Sequence, residues 1–249
     1  IAAVSSQEDK HAVSHYEIVE LIKQLQVAPD VNQEAVLEIE WAYLSLLDGY
    51  SGGTPKLLEN KLAKEPDFFC ELIQLIYRSK NDNQKEKKDN SQDKDIATNA
   101  WRLLNDWKLV PGIQDDGTFN ADFFNRRVQK VEEICTASGH LDIAMSNIGE
   151  ILIYAPQDPS GLWIHHTVAK ALNSRESEAM RSGYSTATYN SRGVHTVDPS
   201  GSQERELAER FRKKADEVEN ATFSRFATTL RELADSYEHE AKRVISRYT

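Results

Sequence analysis

The sequence predicts an all-α protein, an irregular helical array with solenoid-like packing of helix pairs that ends in a long antiparallel αα-hairpin. Three observations predict it. Apolar residues recur at spacings of three and four along most of the chain, and no stretch holds a strand-like alternation for more than a few residues. The eleven glycines and seven prolines fall mostly between those periodic segments, where turns belong. With 249 residues, 39% of them hydrophobic, the chain can bury a substantial core as one large or two small domains.

The first helix is expected near His15 to Val27, with Ile18, Leu21, Ile22 and Leu25 on one face and Pro29 ending it. The second runs near Asn32 to Leu47 and carries Ala35, Val36, Ile39, Ala42, Tyr43, Leu46 and Leu47 along its stripe. The cluster Asp48-Gly49-Tyr50-Ser51-Gly52-Gly53 is a turn. Thr54-Pro55 then starts a third helix, a capping side chain followed by a ring whose fixed φ suits the first helical turn. Pro66 repeats the device for a fourth, apolar at Phe68, Phe69, Leu72, Ile73, Ile76 and Tyr77.

Residues 79 to 95 contain no apolar side chain and can bury nothing to offset the entropy of ordering. They read as a flexible linker or long surface loop, or, if ordered, as a polar extension of a neighbouring helix. The linker separates an acidic N-terminal subdomain, 1 to 78, from a C-terminal one, 96 to 249. The second part resumes with Ala97, Ala100, Trp101, Leu104 and Trp107 and breaks at Pro111-Gly112 and Asp115-Asp116-Gly117. Asn120 can cap a helix carrying Phe123, Phe124, Val128, Val131 and Ile134, which stops near Ser138-Gly139. Leu141 to Tyr154 follows, and a short helix around Trp163 to Leu172 leads into a long irregular region with a structured loop at 184 to 201.

From Ser202 the pattern is the cleanest in the chain. Leu207, Phe211, Ala215 and Val218 mark one helix. Phe223, Phe226, Leu230, Leu233, Tyr237, Ala241, Val244 and Tyr248 mark another, with Asn220 between them. Two long helices and a short loop predict the hairpin. A stripe so long must dock along the helical body, on a second copy, or on a further part of the chain. No fixed internal period returns.

The formal net charge is -10, and residues 1 to 75 hold 13 acidic against 5 basic side chains, so the acidity is N-terminal. An acidic surface repels phosphate backbones, which disfavours general nucleic-acid binding. No run reaches the roughly 18 to 20 apolar residues of a membrane span, and the start lacks the order of a signal peptide. Cys70 and Cys135 each lie in an apolar helical pattern and are read as buried small hydrophobes rather than a disulfide. A cytoplasmic location is expected. The chain starts at Ile1 and ends on a helical pattern, and is read as a piece of a longer polypeptide.

Few residue patterns suggest chemistry. His165 and His166 are helix neighbours that point roughly 100° apart, a poor arrangement for one metal. Gly49, Gly52 and Gly53 lack the lysine and strand of a phosphate loop, and Asp115-Asp116-Gly117 has too few carboxylates for calcium. No cofactor is expected. The segment from Gly183 to Arg205 is different, because a loop of about twenty residues in a helical domain is often functional. Tyr184, Tyr189, Val194 and Val197 can anchor it, and Asn190-Ser191-Arg192-Gly193 suggests a tight turn presenting a guanidinium. Gln203, Glu204 and Arg205 open a helix whose N-terminus could hold an anion. Tyr189, Asn190, Arg192, His195, Gln203, Glu204 and Arg205 are therefore the expected binding residues. The plainer alternative is an Ω-loop pinned by its own tyrosines, with Arg192 paired to a nearby glutamate.

Several short runs support a resemblance: Trp-x-x-Leu-x-x-Trp at 101 to 107, Ile148-Gly149-Glu150, the Asp158 to Trp163 turn, Asn190 to Val194, Gln203 to Ala208, and Tyr237-Glu238 to Ala241. From about Trp101 to Tyr248 the chain resembles the C-terminal helical region of large, poorly characterised bacterial multidomain proteins, loosely those labelled helix-turn-helix or antitoxin-like. The resemblance implies a bacterial accessory or regulatory module and carries no catalytic residues to transfer. The leading expectation is a non-catalytic helical interaction module that meets a protein partner, other domains of its parent chain or a second copy. The first alternative is an enzyme or ligand-binding domain using Arg192, His195, Glu204, Arg205 and His165 around one pocket. The last is DNA binding through Lys242, Arg243 and Arg247, which Glu238 and Glu240 offset.

Overall fold

The computed structural model describes residues 14–49, 52–80, 91–194 and 196–248, and among these the chain is all-α. The helices are α1 (His15–Leu25), α2 (Gln33–Ala42), α3 (Lys56–Lys64), α4 (Pro66–Ile76), α5 (Ser91–Asp106) and α6 (Ala121–Ser138). They continue as α7 (Leu141–Ile151), α8 (His166–Asn173), α9 (Glu178–Asn190), α10 (Ser202–Asn220) and α11 (Ser224–Tyr248). Short 3-10 turns follow α2 at Leu44–Leu46 and α7 at Leu152–Tyr154. One isolated antiparallel bridge, Ile113 with Phe119, closes the Asp115–Gly117 turn. No described helix is long and apolar enough to cross a membrane.

The chain forms two compact units, residues 1–62 with 88–107 and residues 63–87 with 108–249. Each unit takes two separate segments of the sequence, unlike the linear division expected at 79 to 95. The reason lies in two faces: Ala100 and Leu103 of α5 are buried in the first unit, while Phe69, Cys70 and Ile73 of α4 are buried in the second. Part of the expected linker, residues 81–90, lies outside the described residues, and 91–95 are the first turn of α5, a polar helical extension. Ser79 and Lys80 are tied down: the Ser79 hydroxyl donates to the Ser138 carbonyl at 2.7 Å and the Lys80 amide to that of Gly139 at 3.1 Å.

In the first unit, Ser14 and Glu17 cap α1 reciprocally, each accepting from the other's backbone amide. Val19, Ile22 and Leu47 form its core cluster, with Ile18, Ile39 and Leu46 packed on it. Leu21 faces outward at 55% exposure, so the expected stripe holds at Ile18 and Ile22 and fails at Leu21, whose place is taken by Val19. Likewise Trp101, half exposed, is not on the inner face of α5. The inner face of α2 carries an unexpected carboxylate. Glu40 is fully buried and accepts the Leu57 and Leu58 amides at 3.1 and 2.9 Å and the Gln26 side-chain amide at 2.7 Å. It thus caps the first turn of α3, where a negative charge also suits the helix dipole. Burial raises its pKa, against the lowering effect of those hydrogen bonds.

In the second unit, Asn120 caps α6 through the Phe123 amide at 2.9 Å, and Gly139, at φ +75°, ends it. The hydrogen-bonded corner continues into α7. Helices α7 and α9 cross with their backbones almost touching. A Cβ on Gly149 would lie 1.9 Å from the Met180 carbonyl oxygen, and one on Gly183 2.0 Å from that of Ser146. Residues 183 to 190, expected as loop, are therefore helix. Ser, Thr and Gly give this segment poor intrinsic helicity, and the close packing on α7 supplies what propensity lacks.

Ion pairs and rings fix the last two helices. Asp216 meets Arg231 at 2.9 Å, Arg212 meets Asp235 at 3.5 Å, and the Phe211 and Tyr237 rings stack at 5.7 Å. One index rises as the other falls, so α10 and α11 run antiparallel. The Tyr184–Phe226 and Tyr189–Tyr237 ring pairs rise together, so α9 runs parallel to α11. The long stripe is covered within the chain: Phe226, Leu230, Ala234 and Tyr237 are buried, and among its described side chains Val244 and Ile245 near the end are half-buried, that of Tyr248 lying outside the described ones. Of the three ways to bury it, docking along the helical body is the one observed.

Candidate functional site

The segment between α9 and α10 is short and clamped at both ends. Its first stem begins where α9 ends: the Gly193 amide donates to the Asn190 carbonyl at 3.0 Å and Gly193 takes φ +62°. That turn directs Arg192 inward. Its Nη2 donates to the Glu204 carboxylate and, at 3.3 Å, to the Gln203 side-chain oxygen, while Nη1 lies 3.7 Å from Glu240. The Arg192 and Glu204 side chains are only 14% and 1% exposed. Glu240 also accepts the Tyr189 hydroxyl at 3.0 Å, and the Tyr189 ring stacks on Tyr237 at 5.3 Å. Partial burial and the neighbouring Glu240 charge push the Tyr189 phenol above its ordinary pKa.

The second stem is a polar clasp. Asp198 accepts the Ser200 amide at 3.0 Å and hydroxyl at 2.7 Å, and the Ser202 hydroxyl at 2.5 Å. These bonds hold its carboxyl at about 2, well below the usual range. Ser200 Oγ in turn accepts the Ser202 amide, and Arg205 donates to the Ser200 carbonyl. Gly201, at φ +64°, sits so close to α11 that a Cβ would lie 2.9 Å from the Ala241 carbonyl oxygen. At the start of α10 the Ser202 amide is thus taken by Ser200 and its hydroxyl by Asp198.

The structure therefore gathers Tyr189, Arg192, Gln203 and Glu204 of the expected binding residues into one internal network, to which Glu240 and Tyr237 of α11 also belong. A carboxylate in a long amphipathic helix carries no local sign of such a role. Arg205 belongs to the second stem, and Asn190 contributes its backbone carbonyl. His195 lies outside the described residues. His165 is not part of this site: its ring packs on Phe119 at 4.4 Å and its Nδ1 accepts the Thr167 amide. The neighbouring His166 ring meets Phe223, just before α11, whose first residue Ser224 lies about 24 Å from Glu240 along the helix at 1.5 Å per residue. A single pocket uniting His165 with Arg192 is therefore ruled out.

Between the two stems the loop reaches into solvent. Val194 is fully exposed, at 106%, and Val197 is exposed at 42%, so neither anchors the loop as expected. Tyr184, buried in α9, and Tyr189 do the anchoring. The result is an apolar tip on charged, internally paired supports. A separate polar groove of about 510 Å³ runs between α9 and α11, lined by Glu178, Arg181, Ser185, Arg225, Thr229 and Glu232 among others. Among the described residues no three His, Cys, Asp or Glu side chains are grouped to hold a metal. No family model, curated protein or solved structure matches the chain.

Proposed function

We propose that this chain is a non-catalytic helical interaction module, a regulatory piece of a larger bacterial protein of the cytoplasm, and that it meets a protein partner through loop 191–201. The observation that carries the reading is the exposed Val194 on a loop whose stems are held by Arg192 and Asp198. Exposed apolar side chains on mobile loops are common, but here the supports are ordered before any partner arrives. Pre-ordering removes part of the entropy cost of association. A valine that enters an apolar pocket of the partner adds about 1.5 to 3 kcal/mol at full burial. The charged residues around it act as supports, since each is engaged inside the chain.

The test places a photo-crosslinking amino acid at Val194 and, separately, at the exposed Arg175 as a control. A discrete adduct at 194 and none at 175, lost on competition with unlabelled chain but not with its Val194→Asp variant, supports the module. Equal labelling at both positions sinks it.

A second reading, a small polar ligand between α9 and α11, is favoured by the groove that sets Arg181 and Arg225 near Glu178 and Glu232. Such a site takes a ligand with groups of both charges, and Arg225→Ala would abolish any ligand-induced thermal shift without unfolding the chain.

A further inference from the structure

A pair of thiols in the second unit lies outside this interaction surface. Cys70 on α4 and Cys135 on α6, 65 positions apart in sequence, bring their sulfurs to 3.4 Å. Both are free cysteines and both are buried, at 1% and 0% exposure. A disulfide needs about 2.05 Å, so the sulfurs must close by only about 1.4 Å, within reach of small side-chain adjustments. The pair is flanked by Arg127, whose buried guanidinium sits 5.1 Å from the Phe69 ring centroid. The hydrogen bond between the thiols makes Cys135 the easier to deprotonate, while the remaining proton is held firmly on Cys70.

We propose that Cys70 and Cys135 form a redox modification site that peroxide closes into a reversible disulfide between α4 and α6. In the first step the Cys135 thiolate attacks one oxygen of hydrogen peroxide. The O–O bond breaks, the sulfur becomes a sulfenic acid, and hydroxide leaves to be protonated to water. In the second, the Cys70 sulfur attacks the Cys135 sulfur, the S–O bond breaks, the S–S bond forms, and a second water leaves with the Cys70 proton. One peroxide is reduced to two waters and two thiols are oxidised. A dithiol such as dithiothreitol reverses the bond by exchange. Burial selects a small oxidant: a bulky disulfide such as oxidised glutathione must wait for α4 to lift from α6, whereas peroxide is close to water in size.

The test treats the reduced full chain with hydrogen peroxide and measures its intact mass, its free thiols after denaturation, and its melting temperature. The expected result is a monomer lighter by two hydrogens, a peptide linking Cys70 to Cys135, and complete reversal by dithiothreitol. Closing a loop of this length raises the melting temperature by roughly 5–12 °C. Cys70→Ala is expected to stop at a sulfenic acid on Cys135 that dimedone traps. Two thiols that remain free after peroxide, or oxidation that proceeds to sulfinic acid in the wild type without an S–S intermediate, overturn the proposal.

Discussion

Helices α9 and α11 run side by side in the same direction, yet they are held in opposite ways. Helix α11 is held by what its side chains add: Phe226, Leu230 and Tyr237 are buried, and Arg231 pairs with Asp216 and Glu219. Helix α9 is held by what one of its residues lacks. Gly183, together with Gly149 of α7, lets two backbones come within a distance that no Cβ tolerates. The carbonyls approached in this way, those of Ser146 and Met180, also lose room for solvent, so the contact is made by main-chain atoms at two points. The contrast teaches that a helix can be specified by packing whose periodic trace is short: the buried residues of α9 are Met180, Gly183 and Tyr184.

The substitution expected to break this contrast most is Gly183→Ala or Gly149→Ala. In an open helix interior, glycine to alanine stabilises by about 1 kcal/mol. Here the new methyl meets a backbone oxygen, and a loss above about 4 kcal/mol is expected, seen as a lowered denaturation midpoint or insoluble protein. A more stable variant would show that α7 and α9 are not in backbone contact. Leu230→Ala tests the other side: it opens a cavity under α11 and should cost about 3 kcal/mol by urea titration. An effect below about 1 kcal/mol would mean that the stripe is less tightly covered than its burial implies.

Glu204→Ala probes the connection between the two helices. It leaves the mostly buried Arg192 with its contact to Glu240 at 3.7 Å, and about 2–3 kcal/mol is expected once the guanidinium's residual exposure is allowed for. Replacing both partners, as Arg192→Met with Glu204→Leu, should recover most of that loss; if it does not, the pair does more than fill its own space. The smallest effect is a pH dependence. Asp198 is held at about 2, so the folded chain gives up that proton more readily than the unfolded one. Its contribution is complete above the ordinary carboxylate range and is lost as pH falls toward 2. Asp198→Asn should flatten that part of the acid titration of stability, and an unchanged profile would remove Asp198 from the clasp.

Much of this architecture is legible in the residues. Asn120, Gly139 and the stripe from Phe223 to Ala241 state their roles locally, because caps and periodic burial need only neighbours in sequence. Helix α9 does not, because Ser182, Gly183, Ser185 and Thr186 read as a loop until α7 is placed against them. The inner faces of α1 and α5 differ from the expected ones at single positions: Leu21 and Trp101 are large and apolar but point outward, while Val19 and Leu103 are buried. Glu40 and Arg127 were invisible as buried groups, since a charge in an apolar stripe is read as its edge until a partner from a distant segment appears. The loop residues Tyr189, Arg192, Gln203 and Glu204 were found by composition, yet their function as supports depends on Glu240, 36 positions beyond Glu204.

Glu40 also couples two helices that the chain keeps apart. The amides of Leu57 and Leu58 are the orphan donors of α3, and their acceptor is a side chain of α2. Once α2 shifts, those amides face an apolar interior with nothing to accept them, so the first turn of α3 cannot outlast the docking of α2. Fraying, which in most short helices begins independently at each end, is here made a joint event. In hydrogen exchange the Leu57 and Leu58 amides and the backbone of α2 would open as one unit, with a single buried carboxylate as the latch.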